Sequence, residues 1–243
     1  MRRLRIFLVL GISLLGCDKA TKPETVQTVS PGTATIRGVV NFVGTPPVMN
    51  DIPNAVCGAT QQNIPQESIL VGPHGGLRNC LVFLKDVSSL ADTSSKDVLL
   101  DQVNCRYVPH VLGVMVGQNL AIKSEDATPH NVHLQTAVNP PANFAMVQPG
   151  QQTITHFDYP EIFKVTCDVH PWMAAWVGVF SSPYFAVTDA NGQFEIQHVP
   201  AGTYILEVWQ ERLGIRQQSI HISDHETLQQ NFSYAPSADA AGG

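Results

Sequence analysis

The chain has 243 residues, with 14 basic against 20 acidic side chains and a formal net charge of −6. This length suits one or two compact domains. Nothing in this acidic balance indicates nucleic-acid binding, so no nucleic-acid partner is expected. An acidic surface instead favours a protein partner that carries a basic patch.

The N-terminus predicts export and lipid attachment. Three arginines among the first five residues precede the apolar run 6–15, which is too short to span a membrane. The sequence ending at Cys17 is similar to a bacterial lipobox, which implies a signal peptide over 1–16 and lipid on Cys17. The alternative is an ordinary signal peptide cut elsewhere. The protein is therefore expected in the periplasm or cell envelope, anchored to a membrane by lipid.

The rest of the chain predicts β-structure. Residues 17–33 are polar and contain proline, which indicates a tether. From residue 34 onward, short strand-like segments alternate with Gly- and Pro-containing turns, and no long segment has a helical period. Strands without helical crossovers favour antiparallel sandwiches, so the predicted class is all-β. Residues 236–243 are predicted to form a disordered tail.

One short segment carries most of the chemistry. Residues 167–173 contain the three potential metal ligands Cys167, His170 and Met173, and a second imidazole, His130, lies upstream. One thiolate, two imidazoles and one thioether form the ligand set of a blue-copper site, with the thioether as a weak axial ligand. Zinc is less favoured, because it normally takes four strong ligands and Met is a poor one. The sequence predicts one type 1 copper ion.

These motifs resemble those of a known family. Residues 107–180 resemble a cupredoxin, most closely the amicyanin-type subgroup, which shares the Pro-His-Asn-Val-His string at 129–133 and the compact Cys-x-x-His-x-x-Met loop at 167–173. The resemblance implies a Greek-key β-sandwich with copper at one end. It also implies that the side chain of Asn131 ties the two ligand loops together. The alternative is a cupredoxin fold without a metal.

The remaining cysteines allow at most one disulfide in an oxidising compartment, if Cys17 carries lipid and Cys167 binds metal. The preferred pair is Cys57 with Cys105, because both lie in turn-rich or strand-edge sequence. Cys80 opens an apolar strand, where a thiol is more often a small core residue.

A second resemblance begins after the 167–173 loop. Residues 183–235 resemble a carboxypeptidase regulatory-like domain, a small transthyretin-like β-sandwich of structural or adhesive use. The residues that carry it are the hairpin turn Asp189–Gly192 and the alternating apolar side chains of 204–208. That family normally opens with strands like 35–43 and 80–86, which here precede the cupredoxin-like segment.

Two domain arrangements follow. In the first, 34–182 form the copper domain, with its core at 107–180, and 183–235 form a separate sandwich. In the second, the cupredoxin is inserted into a discontinuous sandwich. Pairing of 35–43 with 193–209 would support insertion, whereas pairing with 119–124 would exclude it.

Several other side chains are expected to have structural roles. His133 lies three residues from His130 and therefore faces the opposite side of a regular strand. His110 follows a proline within a strand, and Asp168 is expected to be a solvated loop carboxylate. The aromatic side chains of the later strands are expected in the sandwich cores; these are Trp176, Phe180 and Trp209.

The expected function is single-electron transfer. A redox protein partner would dock on the apolar surface that Pro171 and Trp172 form around His170. No nucleophile–base pair is recognisable, and the 167–173 loop lacks the second cysteine of a binuclear copper centre, so the protein is not expected to be an enzyme. The alternatives are a cell-surface adhesion module with a structural cupredoxin scaffold, and a periplasmic copper-homeostasis protein.

Overall fold

The structure is a computed structural model that describes residues 26–53, 57, 63–89 and 96–236. The predicted signal peptide, the lipidation site Cys17 and the predicted tail beyond residue 236 lie outside the described residues. Among the residues described, none belongs to a helix long and apolar enough to cross a membrane.

The described residues form β-strands and one 3-10 turn, Pro73–Gly75, which confirms the predicted all-β class. The strands before the 167–173 loop are β1 (Gln27–Val29), β2 (Ala34–Phe42), β3 (Leu81–Leu84), β4 (Val87–Ser89), β5 (Val98–Gln102), β6 (Tyr107–Val108), β7 (Val111–Met115), β8 (Leu120–Ser124), β9 (His130–Gln135), β10 (Ala142–Met146), β11 (Gln152–Thr155) and β12 (Glu161–Thr166). The strands after it are β13 (Ala174–Phe180), β14 (Phe185–Val187), β15 (Gln193–Val199), β16 (Gly202–Gln210), β17 (Gly214–Ile222), β18 (Thr227–Gln229) and β19 (Phe232–Tyr234).

Strands β5–β13 form a cupredoxin-like sandwich. One sheet has the order β10-β9-β12-β13-β7 and the other has the order β11-β8-β5-β6. Because side chains alternate along a strand, β9 and β12 each direct one apolar row into the space between the sheets. That core contains Val132, Leu134, Phe163 and Val165, all nearly excluded from solvent.

A second sandwich is assembled from both ends of the chain. Strand β2 pairs with β15, β18 and β19, while β3 pairs with β14 and β16. This is the pairing expected for insertion, with the cupredoxin-like segment placed between β4 and β14. The first division, into 34–182 and 183–235, is therefore wrong about β2 and β3. Their apolar faces are covered by side chains that follow residue 183, among them Phe194 and Leu206.

The predicted tether over 17–33 ends in ordered structure. Strand β1, within that range, pairs in parallel with β4. A hydrogen bond from the Gln27 amide to the Asp86 carbonyl extends this contact. The described end of the tether is therefore attached to the domain.

The two sandwiches pack against each other through a separate apolar layer. Phe180 stacks on Phe185 with ring centroids 4.5 Å apart, and Trp176 lies 4.9 Å from Trp209. Gly113 allows the close approach, since a Cβ there would lie 2.5 Å from the Phe185 ring. Trp176, Phe180 and Trp209, expected inside the sandwich cores, therefore lie between the two sandwiches.

The loop that joins β9 to β10 is held by one carboxylate at the end of the sandwich remote from residue 167. Glu161 accepts hydrogen bonds from the backbone amides of Ala137, Val138 and Asn139. Burial opposes ionisation of Glu161, but these donors outweigh it and lower its pKa below the ordinary 4.5. The stabilisation that ionised Glu161 supplies is therefore complete above about pH 4.5 and is lost as pH falls through the lowered pKa.

We expect Glu161→Gln to reduce the free energy of unfolding at pH 7 by about 2 kcal/mol, because one neutral carbonyl replaces a charged acceptor of several hydrogen bonds. Urea unfolding at pH 7 and at pH 3 measures this difference, which should shrink at the lower pH. Asp158→Asn, at a carboxylate whose side chain is 65% exposed, is the control and should change little. An equal loss at both pH values would contradict a role for the ionised carboxylate.

Candidate metal centre

The segment 167–173 is a tight loop between β12 and β13. The Cys167 amide donates to the Met173 carbonyl (3.3 Å), and the Met173 amide donates to the His170 carbonyl (2.9 Å). These bonds fold the loop back on itself and bring three potential ligands to one end of the sandwich. Cys167, His170 and Met173 are all buried, with at most 6% of each residue exposed.

The fourth predicted ligand comes from a separate strand. His130 begins β9, which pairs with β12 in the register Thr166 opposite His133. The hydroxyl of Tyr107 lies within hydrogen-bonding distance of the carbonyl oxygens of Asn131 (2.5 Å) and Thr166 (3.0 Å). Tyr107 therefore bridges the two strands at the point where each one presents a candidate ligand. Sequence reasoning did not identify this tyrosine.

Three of the four predicted ligands converge. The Nδ1 atoms of His130 and His170 are 2.9 Å apart, and Cys167 Sγ lies 3.8 Å from His170 Nδ1. The donor atoms of these three residues all lie within 4.8 Å of one another. Met173 is buried at the far end of the same loop, in the same core cluster as Cys167.

A buried carboxylate orients His130. Asp126 Oδ2 accepts a hydrogen bond from His130 Nε2 at 2.9 Å, and this assigns the ring proton to Nε2 and leaves Nδ1 for the centre. Burial opposes protonation of His130, but the hydrogen bonds with Asp126 and Cys167 outweigh it and raise the pKa of His130 to about 9. Asp126 was not predicted. Its signal in the sequence is a carboxylate four residues before a candidate metal-binding histidine.

Asn131 ties the two ligand segments together, as the resemblance implied. Its Oδ1 accepts the backbone amide of Asp168 at 2.7 Å and lies 3.3 Å from Cys167 Sγ. Burial opposes ionisation of Cys167, but the hydrogen bonds with His130 and the Asn131 backbone outweigh it and lower the pKa of Cys167. The site therefore favours a thiolate, the form that binds metals.

A polar network covers the outer side of Asn131. Asp168 accepts hydrogen bonds from Asn131, Asn143 and His133, and the bond with His133 contributes most to lowering the pKa of Asp168. Asp168 is exposed, as expected, but it is bonded rather than merely solvated. His133 faces away from His130, as predicted.

The donor set suits a copper ion. Without a metal, the 2.9 Å contact between the two Nδ1 atoms is a hydrogen bond, because protonated His130 can donate to His170. Copper would replace that proton, because soft thiolate and thioether with imidazole are ligands that copper favours in both oxidation states. His130, Cys167 and His170 could hold it, with Met173 as the weak fourth ligand.

The predicted disulfide and the remaining thiol are both accounted for. Cys57 and Cys105 form a disulfide with a Cα–Cα distance of 6.0 Å, which is the pairing preferred from the sequence. Cys80 is a free thiol in the core of the second sandwich, and burial raises its pKa to about 12. A thiol this difficult to ionise has no role at the metal centre.

The second sandwich also contacts strand β13, which follows the 167–173 loop. His110 contacts the Ala174 carbonyl through Nδ1 at 3.0 Å and pairs with Glu211 through Nε2. The other oxygen of Glu211 accepts the indole N–H of Trp176 at 2.8 Å. Glu211, which lies between β16 and β17, was not predicted as part of this region. Nothing in the local pattern around residue 211 indicates contact with so distant a part of the chain.

Comparisons with solved structures match copper proteins over about a third of the chain. An amicyanin variant in its reduced Cu(I) form shares 25% identity and matches 36% of this chain and 85% of its own, with a TM-score of 0.32. A purple cupredoxin from Nitrosopumilus maritimus shares 21% identity and matches 35% and 100%, with a TM-score of 0.30. A copper-containing nitrite reductase from Thermus scotoductus SA-01 shares 20% identity and matches 36% of this chain but only 23% of its own, with a TM-score of 0.34.

The family comparison concerns a different part of the chain. Residues 173–230 match the model described as polysaccharide lyase family 4, domain II. This match overlaps the segment that resembles a carboxypeptidase regulatory-like domain, and that resemblance stays a prediction. No curated protein matches the chain.

Proposed function

We propose that this protein binds one copper ion at a type 1 site and transfers single electrons. The observation that carries the proposal is the convergence of Cys167 with the facing Nδ1 atoms of His130 and His170. We further propose that the protein is exported, that Cys17 is lipidated, and that the N-terminal lipid anchors it in the cell envelope.

The residues around the centre would limit rearrangement between oxidation states. Bound copper supplies a one-electron couple between Cu(I) and Cu(II). Asp126 and Asn131 fix the ring of His130 and the position of Cys167. Because the side chains of His130 and Cys167 are already oriented and buried, little reorganisation accompanies a change in charge, and that favours fast transfer.

The proposed partner surface surrounds His170. His170 itself is buried, but Val169 is 59% exposed and Pro171 is also exposed. An apolar patch of this kind suits a transient redox complex, and the acidic chain would attract a partner with a basic rim. We assign no catalytic reaction to the protein, because the proposed role requires only outer-sphere transfer at this surface.

The test is a spectroscopic and electrochemical measurement on the copper-loaded protein. An intense visible band, a narrow copper hyperfine splitting and fast reversible voltammetry would support electron transfer. A copper-homeostasis role would instead give slow or irreversible voltammetry with ready release of copper to a chelator. A colourless protein with a wide hyperfine splitting would refute the type 1 site.

A second candidate function rests on the match over residues 173–230. This part of the chain would act as a surface-binding module, with the cupredoxin-like sandwich as a scaffold. Glycan-array binding that persists in a copper-free Cys167→Ser variant would favour this candidate. Absence of binding with intact redox activity would favour electron transfer.

A further inference from the structure

The disulfide-linked turn 103–106 contacts both segments of the candidate metal centre. Asn104 and Cys105 have positive φ values of 51° and 60°, an uncommon conformation for residues other than glycine. Their two successive amides point at one carboxylate, with distances of 2.7 Å and 2.8 Å to the oxygens of Asp126. Successive amides arranged in this way form an anion-binding nest.

The first connection runs to His130. Asp126 uses Oδ2 for both the Cys105 amide and His130 Nε2, so the ring is linked to the turn through a single oxygen atom. The side chain of Asp126 is 7% exposed and that of His130 is fully buried. Because water has little access, the turn sets the position of the carboxylate and, through it, that of the imidazole.

The second connection runs to the 167–173 loop. The carbonyl of Cys105 accepts the indole N–H of Trp172 at 3.2 Å. Trp172 lies between His170 and Met173, and its ring centroid is 5.1 Å from that of His170. Cys105 therefore contacts Asp126, the partner of His130, with its amide and Trp172, in the 167–173 loop, with its carbonyl.

We propose that the Cys57–Cys105 disulfide is a positioning element for the copper site, which holds the two ligand segments in register through Asp126 and Trp172. The proposal rests on the proposed copper function. The disulfide anchors a turn of uncommon conformation to a distant part of the chain, at a sequence separation of 48. Without that anchor, the two amides would no longer be fixed against Asp126, and the His130 ring would be free to reorient.

Copper affinity and copper spectra test the proposal on the full chain. We expect Cys57→Ser/Cys105→Ser and Asp126→Asn each to lower Cu(II) affinity about 10-fold or more, as is usual when support of a ligand is lost, and to alter the copper hyperfine splitting. Trp172→Phe, which removes one hydrogen bond and keeps the disulfide, should alter the splitting without loss of folding. Cys80→Ser is the matched control, because it changes a buried cysteine in the other sandwich.

The combined effect of two substitutions on copper affinity distinguishes a positioning role of the disulfide from a general effect on protein stability. If the disulfide acts through Asp126, adding Asp126→Asn to the double serine variant should lower copper affinity no further. Additive losses, or a double serine variant with wild-type affinity and splitting, would overturn the proposal. Should the double serine variant fail to fold, unchanged hyperfine splittings in Asp126→Asn and Trp172→Phe would overturn it instead.

A copper-free measurement keeps this proposal separate from the copper function. In the wild-type protein, nitrogen-edited NMR should show a slowly exchanging His130 Nε2–H, and the double serine variant should lose that protection. Loss of protection together with a colourless wild-type protein would refute the copper function and retain the positioning role. Retained protection in the variant would refute the positioning role, whatever the colour of the protein.

Discussion

Cys167→Ser is expected to abolish the intense visible band of the copper-loaded protein completely. That band requires charge transfer from a thiolate to Cu(II), and Cys167 is the one free cysteine among the described residues that lies beside His130 and His170. A serine hydroxyl does not ionise at neutral pH and is a hard donor, so copper would be held by the two imidazoles and the weak thioether of Met173. The copper hyperfine splitting should widen at the same time.

Cys80→Ser provides the control for this experiment, since Cys80 is buried in the second sandwich and its raised pKa keeps it a thiol. The control should retain the full band. A band that survives in Cys167→Ser would show that copper is bound elsewhere. Equal loss in both variants would mean that the band reports folding rather than ligation.

Phe180→Ala is expected to lower the free energy of unfolding by about 3–5 kcal/mol, the usual range when a large aromatic side chain is removed from a packed interior. Phe180 lies between the two sandwiches, with ring centroids 4.9 Å from Phe83 and 4.5 Å from Phe185. Both of those rings belong to strands of the second sandwich. The substitution therefore leaves a cavity in the apolar layer that joins the two halves.

Urea unfolding monitored by the visible band and by intrinsic fluorescence would measure this loss. We expect the two signals to unfold together in the wild-type protein and to separate in Phe180→Ala, because the coupling between the sandwiches is weakened. The visible spectrum of the folded variant should not change, because residue 180 is remote from the 167–173 loop. Tyr159→Ala is the control, because Tyr159 is 53% exposed and its replacement leaves no buried cavity. An unchanged midpoint for Phe180→Ala would contradict the role given to this layer.

The sequence was most informative where chemistry is local. Cys167, His170 and Met173 lie within seven residues, and their spacing alone predicts a loop that folds over a metal. The strand pattern likewise predicted all-β structure, because alternation of apolar side chains is visible in short windows. The placement of His133 on the opposite face from His130 followed from the same period of two.

Contacts between distant segments could not be predicted in this way. The alternation in β2 shows that one face is buried, but it does not show which strand covers that face, and the first domain division therefore failed. Asp126 and Glu211 are ordinary loop carboxylates in the sequence. They acquire roles only because folding brings the 103–106 turn and the strand β13 beside them.

The insertion of one sandwich into the other imposes an order of events during synthesis. Strand β2 emerges from the ribosome early, but its antiparallel partner β15 follows only after residues 43–192 have been made. At roughly 5–20 residues per second, this interval lasts on the order of ten seconds or more. The inserted sandwich can form during that time from strands close together in the chain. The second sandwich cannot form until β14 to β19 have been made. Until then the apolar face of β2 has no partner strands, so we expect it to need protection from aggregation.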